Sequence, residues 1–241
     1  MESKEMNLVD HLSEMRKRLI IILGSFLLLL ILSFIYVNDI YNWIIQDSSI
    51  KLAVLGPSDI VWVYLMLSAV VAIAGTIPIA AHQIWLFVKP ALTEKERKIT
   101  LAYIPSLFLL FIAGISFGYF VIFPIVFDFL LSLSGDMFMS FFTAEKYFRF
   151  MVNMIFPFGI LFEMPVIIMF LTSLGILNPH RLQKMRRYSY FGLIVTAVLV
   201  TPPDFVSDVL VIIPLVFLYE CSVLLSMVVY RKKQKRELAV A

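Results

Sequence analysis

Residues 61–88 read VWVYLMLSAVVAIAGTIPIAAHQIWLFV and contain no Asp, Glu, Lys or Arg. An apolar helix needs roughly 20 residues to cross the bilayer's hydrocarbon core of about 30 Å, so this stretch predicts a membrane-spanning helix. The whole chain agrees, because 61% of its 241 residues are hydrophobic, 15% are charged and the mean hydropathy is +0.94. Lipid is therefore predicted to be the main solvent of this protein.

Six apolar runs of this kind occur along the chain. They cover Leu19–Val37, Val61–Val88, Ile99–Pro124, Phe148–Leu174, Tyr188–Val200 and Val206–Tyr230. A backbone in lipid must satisfy its own hydrogen bonds, and the alternating ten-residue segments of a β-barrel do not occur, so the runs predict helices. Prolines within the runs predict bends, and Gly114 and Gly118 predict one close helix contact. The predicted fold class is an all-α integral membrane protein with six helices in a curved bundle.

Basic residues gather in every second connection between these runs. Segments 1–18, 89–98, 180–187 and 231–241 hold 17 of the 20 Lys and Arg residues. Since basic connections stay on the cytoplasmic side of a membrane, both ends of the chain are predicted to be cytoplasmic. Residues 1–18 are predicted to form an amphipathic cytoplasmic segment or, alternatively, a solvated basic flank; 19–230 form the membrane domain and 231–241 a basic cytoplasmic tail.

Several function classes are excluded by what the sequence lacks. The net charge of +3 follows from the sidedness of the basic residues, and no basic patch alternates with exposed aromatic residues, which argues against nucleic acid as a partner. Phosphate-loop, zinc-protease and Gly-x-Ser-x-Gly motifs do not occur, and the three histidines are too scattered for a metal site. The chain is predicted to be no enzyme and to need no cofactor.

Two acidic residues lie within the apolar runs, where an ionisable group is costly and marks a functional candidate. Glu163 has a proline on each side in sequence and is predicted to lie at a bend facing the bundle interior. Two interpretations stay open for it: contact with a substrate, or a protonated carboxyl bonded to a carbonyl that a proline leaves free. For Glu220, a contact through Tyr219 or Ser222 is predicted to satisfy the carboxylate.

A second group of acids belongs to the basic, cytoplasmic connections. Glu14 lies beside Arg16, and Glu94 and Glu96 follow Thr93, which with Glu96 forms a plausible capping box. From the residues alone, these are ordinary charges at the starts of helices.

Specific strings of residues carry more information than these charges do. In chain order they are HLSEMRKR (11–18), QIWLFVKPAL (83–92) continuing to Glu96 and Arg97, FGILFEMP (158–165), TPPD (201–204) and IPL (213–215) leading to Glu220. In these strings, which extend over residues 8–230, the chain resembles the TatC family, the signal-recognition subunit of the twin-arginine protein translocase.

The resemblance implies six helices in a cup-like arrangement with both termini in the cytoplasm. It implies Sec-independent translocation of folded proteins across the cytoplasmic membrane, driven by the proton-motive force. The implied partners are single-span TatA-type membrane proteins, signal peptides that bear two adjacent arginines, and further copies of the chain in a homo-oligomeric complex within the lipid bilayer.

The resemblance also implies roles for individual residues. The signal-peptide-binding positions would be Glu14, Arg16, Phe87 and Glu96, with Pro90 and Leu92 shaping the loop between them. Glu163 matches the family's intramembrane acid, and Asp204, after Pro202 and Pro203, matches the acid of its outer turn. The chain departs from the family before Tyr147, where Thr143 and Glu145 stand in a region that often carries an acid, so no role is carried over there.

The chemistry of the signal fits this interpretation, because two guanidinium groups present planar forks that carboxylates accept bidentately and that lysine does not imitate. The alternative function is a secondary transporter that uses Glu163, although the sequence lacks the paired, interrupted half that such transporters contain.

Overall fold

The structure, a computed structural model, describes residues 8–46, 52–92, 94–134, 142–201 and 205–238. The helices are α1 (Leu8–Ile35), α2 (Val37–Ile45), α3 (Pro57–Val88), α4 (Glu94–Leu101), α5 (Tyr103–Phe117), α6 (Phe123–Ser134), α7 (Ala144–Phe162), α8 (Met164–Ser173), α9 (Pro179–Lys184), α10 (Arg186–Val200) and α11 (Phe205–Leu238). A 3₁₀ turn at Lys89–Ala91 follows α3, and a π-helical segment at Gly118–Ile122 joins α5 to α6.

Within the described ranges, five helical stretches are long and apolar enough to cross a membrane. They are Leu12–Ile35, Pro57–Val88, Tyr103–Leu133, Ala144–Ser173 and Phe205–Gln234. The predicted all-α membrane class is confirmed at this level. The remaining predicted run corresponds to α10, whose 15 residues extend only about 22 Å at 1.5 Å per residue.

The third apolar run does not end at Pro124, and this part of the prediction was wrong. Helix α6 continues through Ser134, ten residues beyond the predicted end, and α7 begins at Ala144, before the predicted start of the fourth run at Phe148. Pro124 is tolerated because it lies in the first turn of α6, directly after the π-helical segment, where a missing N–H breaks the fewest regular bonds.

Two other runs differ in how they are divided. Helix α1 is unbroken, so residues 8–18 and the first apolar run as far as Ile35 form one helix, while Val37, the last residue of that run, begins α2. The fourth run is interrupted at Glu163, whose N–H donates to the carbonyl of Ile160 at 3.1 Å, before α8 resumes at Met164. Pro165, at the second position of α8, accounts for the break, because the ring cannot continue the α-helical ladder behind it.

The core lies where α3, α5 and α7 pack together, and glycines set the distance between α5 and α7. A Cβ atom on Gly114 would lie 2.5 Å from the carbonyl oxygen of Phe158, and one on Gly159 would lie 2.8 Å from the ring of Phe111. A Cβ on Gly118 would lie 3.0 Å from the Cα of Ile155. The predicted close contact at Gly114 and Gly118 is confirmed, and it is a backbone contact that a larger residue would prevent.

At the opposite end of the bundle from α4, main-chain hydrogen bonds join two connecting segments. The N–H of Ala53 donates to the carbonyl of Phe142 at 3.0 Å, and the N–H of Ala144 donates to the carbonyl of Ala53 at 2.8 Å. Thr143 lies between these partners and caps α7, its hydroxyl accepting from the N–H of Lys146 at 3.4 Å. The starts of α3 and α7 are thereby tied together.

Candidate functional site

The end of α3 is fixed to α4 by contacts around the buried ring of Trp85. Its indole N–H donates to the hydroxyl of Thr100 at 2.9 Å, and the ammonium of Lys89 lies 5.3 Å from the ring centroid. The guanidinium of Arg97 donates to the carbonyl of Lys89 at 3.1 Å. Pro90 belongs to the 3₁₀ turn after α3, and the chain reverses there instead of extending the helix. These contacts hold the end of α3 against α4, and the two helices meet there at a corner.

The beginning of α1 joins the same end of the bundle through Arg18. One guanidinium nitrogen of Arg18 donates to the carboxylate of Glu14, one helical turn earlier. Another donates to the side-chain oxygen of Gln83 on α3 at 3.4 Å. The side chains of Arg18 and Glu14 are 19% and 27% exposed, so the pair is partly shielded from water. Gln83 lies one turn before Phe87, which places Glu14 beside the final turns of α3.

The positions predicted to bind the signal, as far as the structure describes them, differ in accessibility. Glu14 and Phe87 are half-buried, and Arg16 and Pro90 are exposed. Leu92 is buried, and its N–H donates to the carbonyl of Lys89.

The remaining predicted positions are described in part or not at all. The helix α4 contains Glu96, but the Glu96 side chain lies outside the described residues. Thr93, and with it the predicted capping box, also lies outside them, as do Pro202, Pro203 and Asp204 of the outer turn.

Glu163 lies at the interruption between α7 and α8 and is 7% exposed. Its predicted place, at a bend facing the interior, is confirmed. Neither carboxyl oxygen has a hydrogen-bond partner among the described residues, so the interpretation of a carboxyl bonded to a freed carbonyl is wrong. A buried polar group without a partner is destabilising by roughly 1–3 kcal/mol, and this makes Glu163 unusual.

Glu220 on α11 holds two groups of α10. One of its oxygens accepts from the guanidinium of Arg186 at 2.6 Å, and the other accepts from the hydroxyl of Tyr190 at 2.5 Å. The prediction that Tyr219 or Ser222 satisfies Glu220 was wrong, because both hydroxyls donate to main-chain carbonyls. The partners of Glu220 come from another helix and not from its neighbours in sequence.

Sequence reasoning therefore missed the residues that connect the site. Arg18 and Arg186 were counted only as orienting charges, although each binds a carboxylate. Gln83 and Trp85 stand in the string QIWLFVKPAL, and their polar atoms in an otherwise apolar run were a usable signal.

Comparison with known proteins gives the same assignment. The family described as "Sec-independent protein translocase protein (TatC)" matches residues 10–214. The chain is 61% identical to the Sec-independent protein translocase protein TatCd of Bacillus subtilis (strain 168) over the full length of both, and 42% identical to TatCy of that organism over 99% of this chain and 96% of the relative. A crystal structure of the twin-arginine translocase receptor TatC matches with a TM-score of 0.78 and 29% identity, covering 91% of this chain and 99% of that one. The fold, the strings at the corner between α3 and α4 and these relatives together assign the chain to the TatC family of Sec-independent protein translocase proteins.

Proposed function

We propose that this chain is the receptor for twin-arginine signal peptides in a Sec-independent translocase, and that it is a multi-pass protein of the cytoplasmic membrane. The observation that carries the proposal is the joined cytoplasmic corner, where Arg18 links α1 to Gln83 and Trp85 links α3 to α4. The relatives reported above are translocase components with a transport role, which gives no support to a secondary transporter or to an enzyme.

The corner suits a signal with two adjacent arginines because it presents acids from separate elements. Glu14 belongs to α1 and Glu96 to α4, and both helices are attached to the end of α3. Two carboxylates on independent supports can accept two planar guanidinium forks at once. Arg16 and Phe87 flank this region, and Pro90 and Leu92 keep the loop in shape. The apolar core of the signal then lies against the membrane-embedded surface near Glu163.

The proposed arrangement in the membrane has six crossing helices in a cup-like bundle, with the short α10 as the fifth crossing. Residues 1–18 and 231–241 are cytoplasmic flanks of a membrane domain at 19–230. The 17 basic residues on one side support this orientation. Partners are TatA-type single-span proteins and further copies of this chain, and the proton-motive force supplies the energy.

Crosslinking of a twin-arginine peptide tests the binding site. Glu14→Gln or Glu96→Gln keeps the size of the side chain and removes its charge, so each should weaken binding by about tenfold or more, the effect of losing one charge-assisted bidentate contact. Glu94→Gln is the matched control, since it changes an exposed acid two residues away on α4. Equal crosslinking in wild type and all three variants, at matched membrane levels, would refute the receptor assignment.

Thiol labelling tests the orientation. In a Cys221→Ala background, cysteines at Ser49 and Ser140 should react with an impermeant reagent added outside cells, because they belong to the connections poor in basic residues. A cysteine at Gln234 should react only after the membrane is opened. If the cysteine at position 234 reacts with the reagent from outside intact cells, the proposed orientation is wrong.

A further inference from the structure

The carboxylate proposed to bind the signal already holds a guanidinium of its own chain. Arg18 donates to Glu14 through one terminal nitrogen and to Gln83, at 3.4 Å, through the other. Its Nε atom is buried and has no hydrogen-bond partner among the described residues. Arg18 therefore divides its donors between two acceptors on different helices and leaves one donor unused.

An arriving arginine must compete with this internal one. The two groups have the same charge and the same fork of donors, so exchanging one for the other never leaves the partly shielded carboxylate unpaired. That matters because breaking a shielded ion pair by removing one partner is much more costly than the pair is worth. Gln83 offers Arg18 an acceptor that remains available after Glu14 has been taken.

We propose that Arg18 is an internal competitor for the signal peptide. It occupies Glu14 in the free receptor, retreats to Gln83 when a signal arginine binds, and so sets the affinity threshold that a signal must exceed. This inference rests on the proposed function, because it requires Glu14 to contact the signal.

Competition by Arg18 predicts a specific change in peptide affinity that other roles of Arg18 do not predict. The free energy needed to displace Arg18 is the same for every ligand, so removing Arg18 should tighten binding of a twin-arginine and a twin-lysine peptide by the same factor. For a partly exposed pair one helical turn apart, that factor is about two- to fivefold. If Arg18 instead positions Glu14, its loss should weaken the twin-arginine peptide. If the pair only supports the helix, neither affinity should change.

The experiment measures binding of fluorescent twin-arginine and twin-lysine signal peptides to the full-length protein in lipid nanodiscs. Arg18→Gln should bind both peptides about two- to fivefold more tightly. Arg18→Lys, which keeps the charge but replaces the fork by a single ammonium, should give a smaller gain in the same direction. Lys17→Gln removes the same charge from an exposed neighbour and serves as the control for general repulsion.

Two further variants, Glu14→Gln and the double variant Glu14→Gln with Arg18→Gln, separate this inference from the proposed function on which it rests. In Glu14→Gln, the further change Arg18→Gln should bring no gain, because no carboxylate is left to compete for. If Glu14→Gln alone leaves peptide binding unchanged, the receptor site itself is wrong. If Glu14→Gln weakens binding while Arg18→Gln and Arg18→Lys bind no more tightly than wild type or than Lys17→Gln, the receptor site stands and the competitor is rejected.

Discussion

The interior of this bundle and the end that carries α4 are held together by different means. In the interior, α5 and α7 touch through glycine and main-chain atoms, and the buried acid Glu163 has no hydrogen-bond partner among the described residues. At the end that carries α4, Glu14 and Glu220 each hold an arginine. Shape therefore stabilises the interior, whereas exchangeable polar pairs stabilise the end where a peptide is proposed to bind. An acid kept unpaired in the interior adds nothing to this stability.

The largest expected effect comes from breaking the close contact in the interior. Gly114→Ala places a methyl group 2.5 Å from a backbone oxygen of α7, so the two helices must separate. We expect a loss of about 3 kcal/mol of stability, the upper part of the range for overpacking. Thermal unfolding in one detergent measures it. Gly24→Ala is the control, because its Cβ meets nothing within 4 Å, and it should be neutral or slightly stabilising. Equal unfolding temperatures would show that α5 and α7 are not in close contact.

Substitution of Glu163 should affect stability and export in different directions. Glu163→Leu replaces an unpaired buried carboxyl by an apolar group, so the protein should be unchanged or up to about 3 kcal/mol more stable. Export of a twin-arginine reporter should nevertheless fall strongly, because a polar group retained in the membrane without structural benefit indicates a functional role. Glu163→Gln should gain no stability, since its amide is also unpaired. A destabilised Glu163→Leu would reveal a partner inside the fold, and normal export would make the residue dispensable.

The smallest effect is expected at the end that carries α4, for the contact between α10 and α11. The side chains of Arg186 and Glu220 are 43% and 30% exposed, so solvent weakens their attraction. A double-mutant cycle with Arg186→Gln and Glu220→Gln, followed by thermal unfolding, should give a coupling energy of about 1 kcal/mol or less. A coupling energy larger than the stability lost in Gly114→Ala would overturn the contrast between the two regions.

The sequence predicts the features of this fold that depend on neighbouring residues, and it fails for those that depend on residues far apart in the chain. Apolar runs and glycine spacing are local patterns, and they predicted the main helices, the contact at Gly114 and the bend at Glu163. They failed at Pro124, because a proline ends a helix in one position and is harmless in the first turn of the next. They also failed at Glu220, because its partner Arg186 is 34 residues away, and no window of sequence states how two helices are rotated toward each other.

The candidate site shows the same limit. The resemblance indicated Glu14 and Glu96, but the residues that attach their helices to α3 bind across 65 positions in the case of Arg18 and Gln83. Such contacts exist only once the bundle has formed. Trp85 and Thr100 are closer in sequence, yet their pairing depends on the corner at Pro90.

The main-chain hydrogen bonds of Ala53, at the end of the bundle opposite α4, affect which substitutions the chain tolerates during evolution. Ala53 binds Phe142 and Ala144 through main-chain atoms alone, so substitutions of these side chains leave both hydrogen bonds available. Proline is the exception at Ala53 and Ala144, since it lacks the donor N–H. Sequence drift can therefore alter the side chains at this end of the bundle while the main-chain hydrogen bonds keep the starts of α3 and α7 tied together.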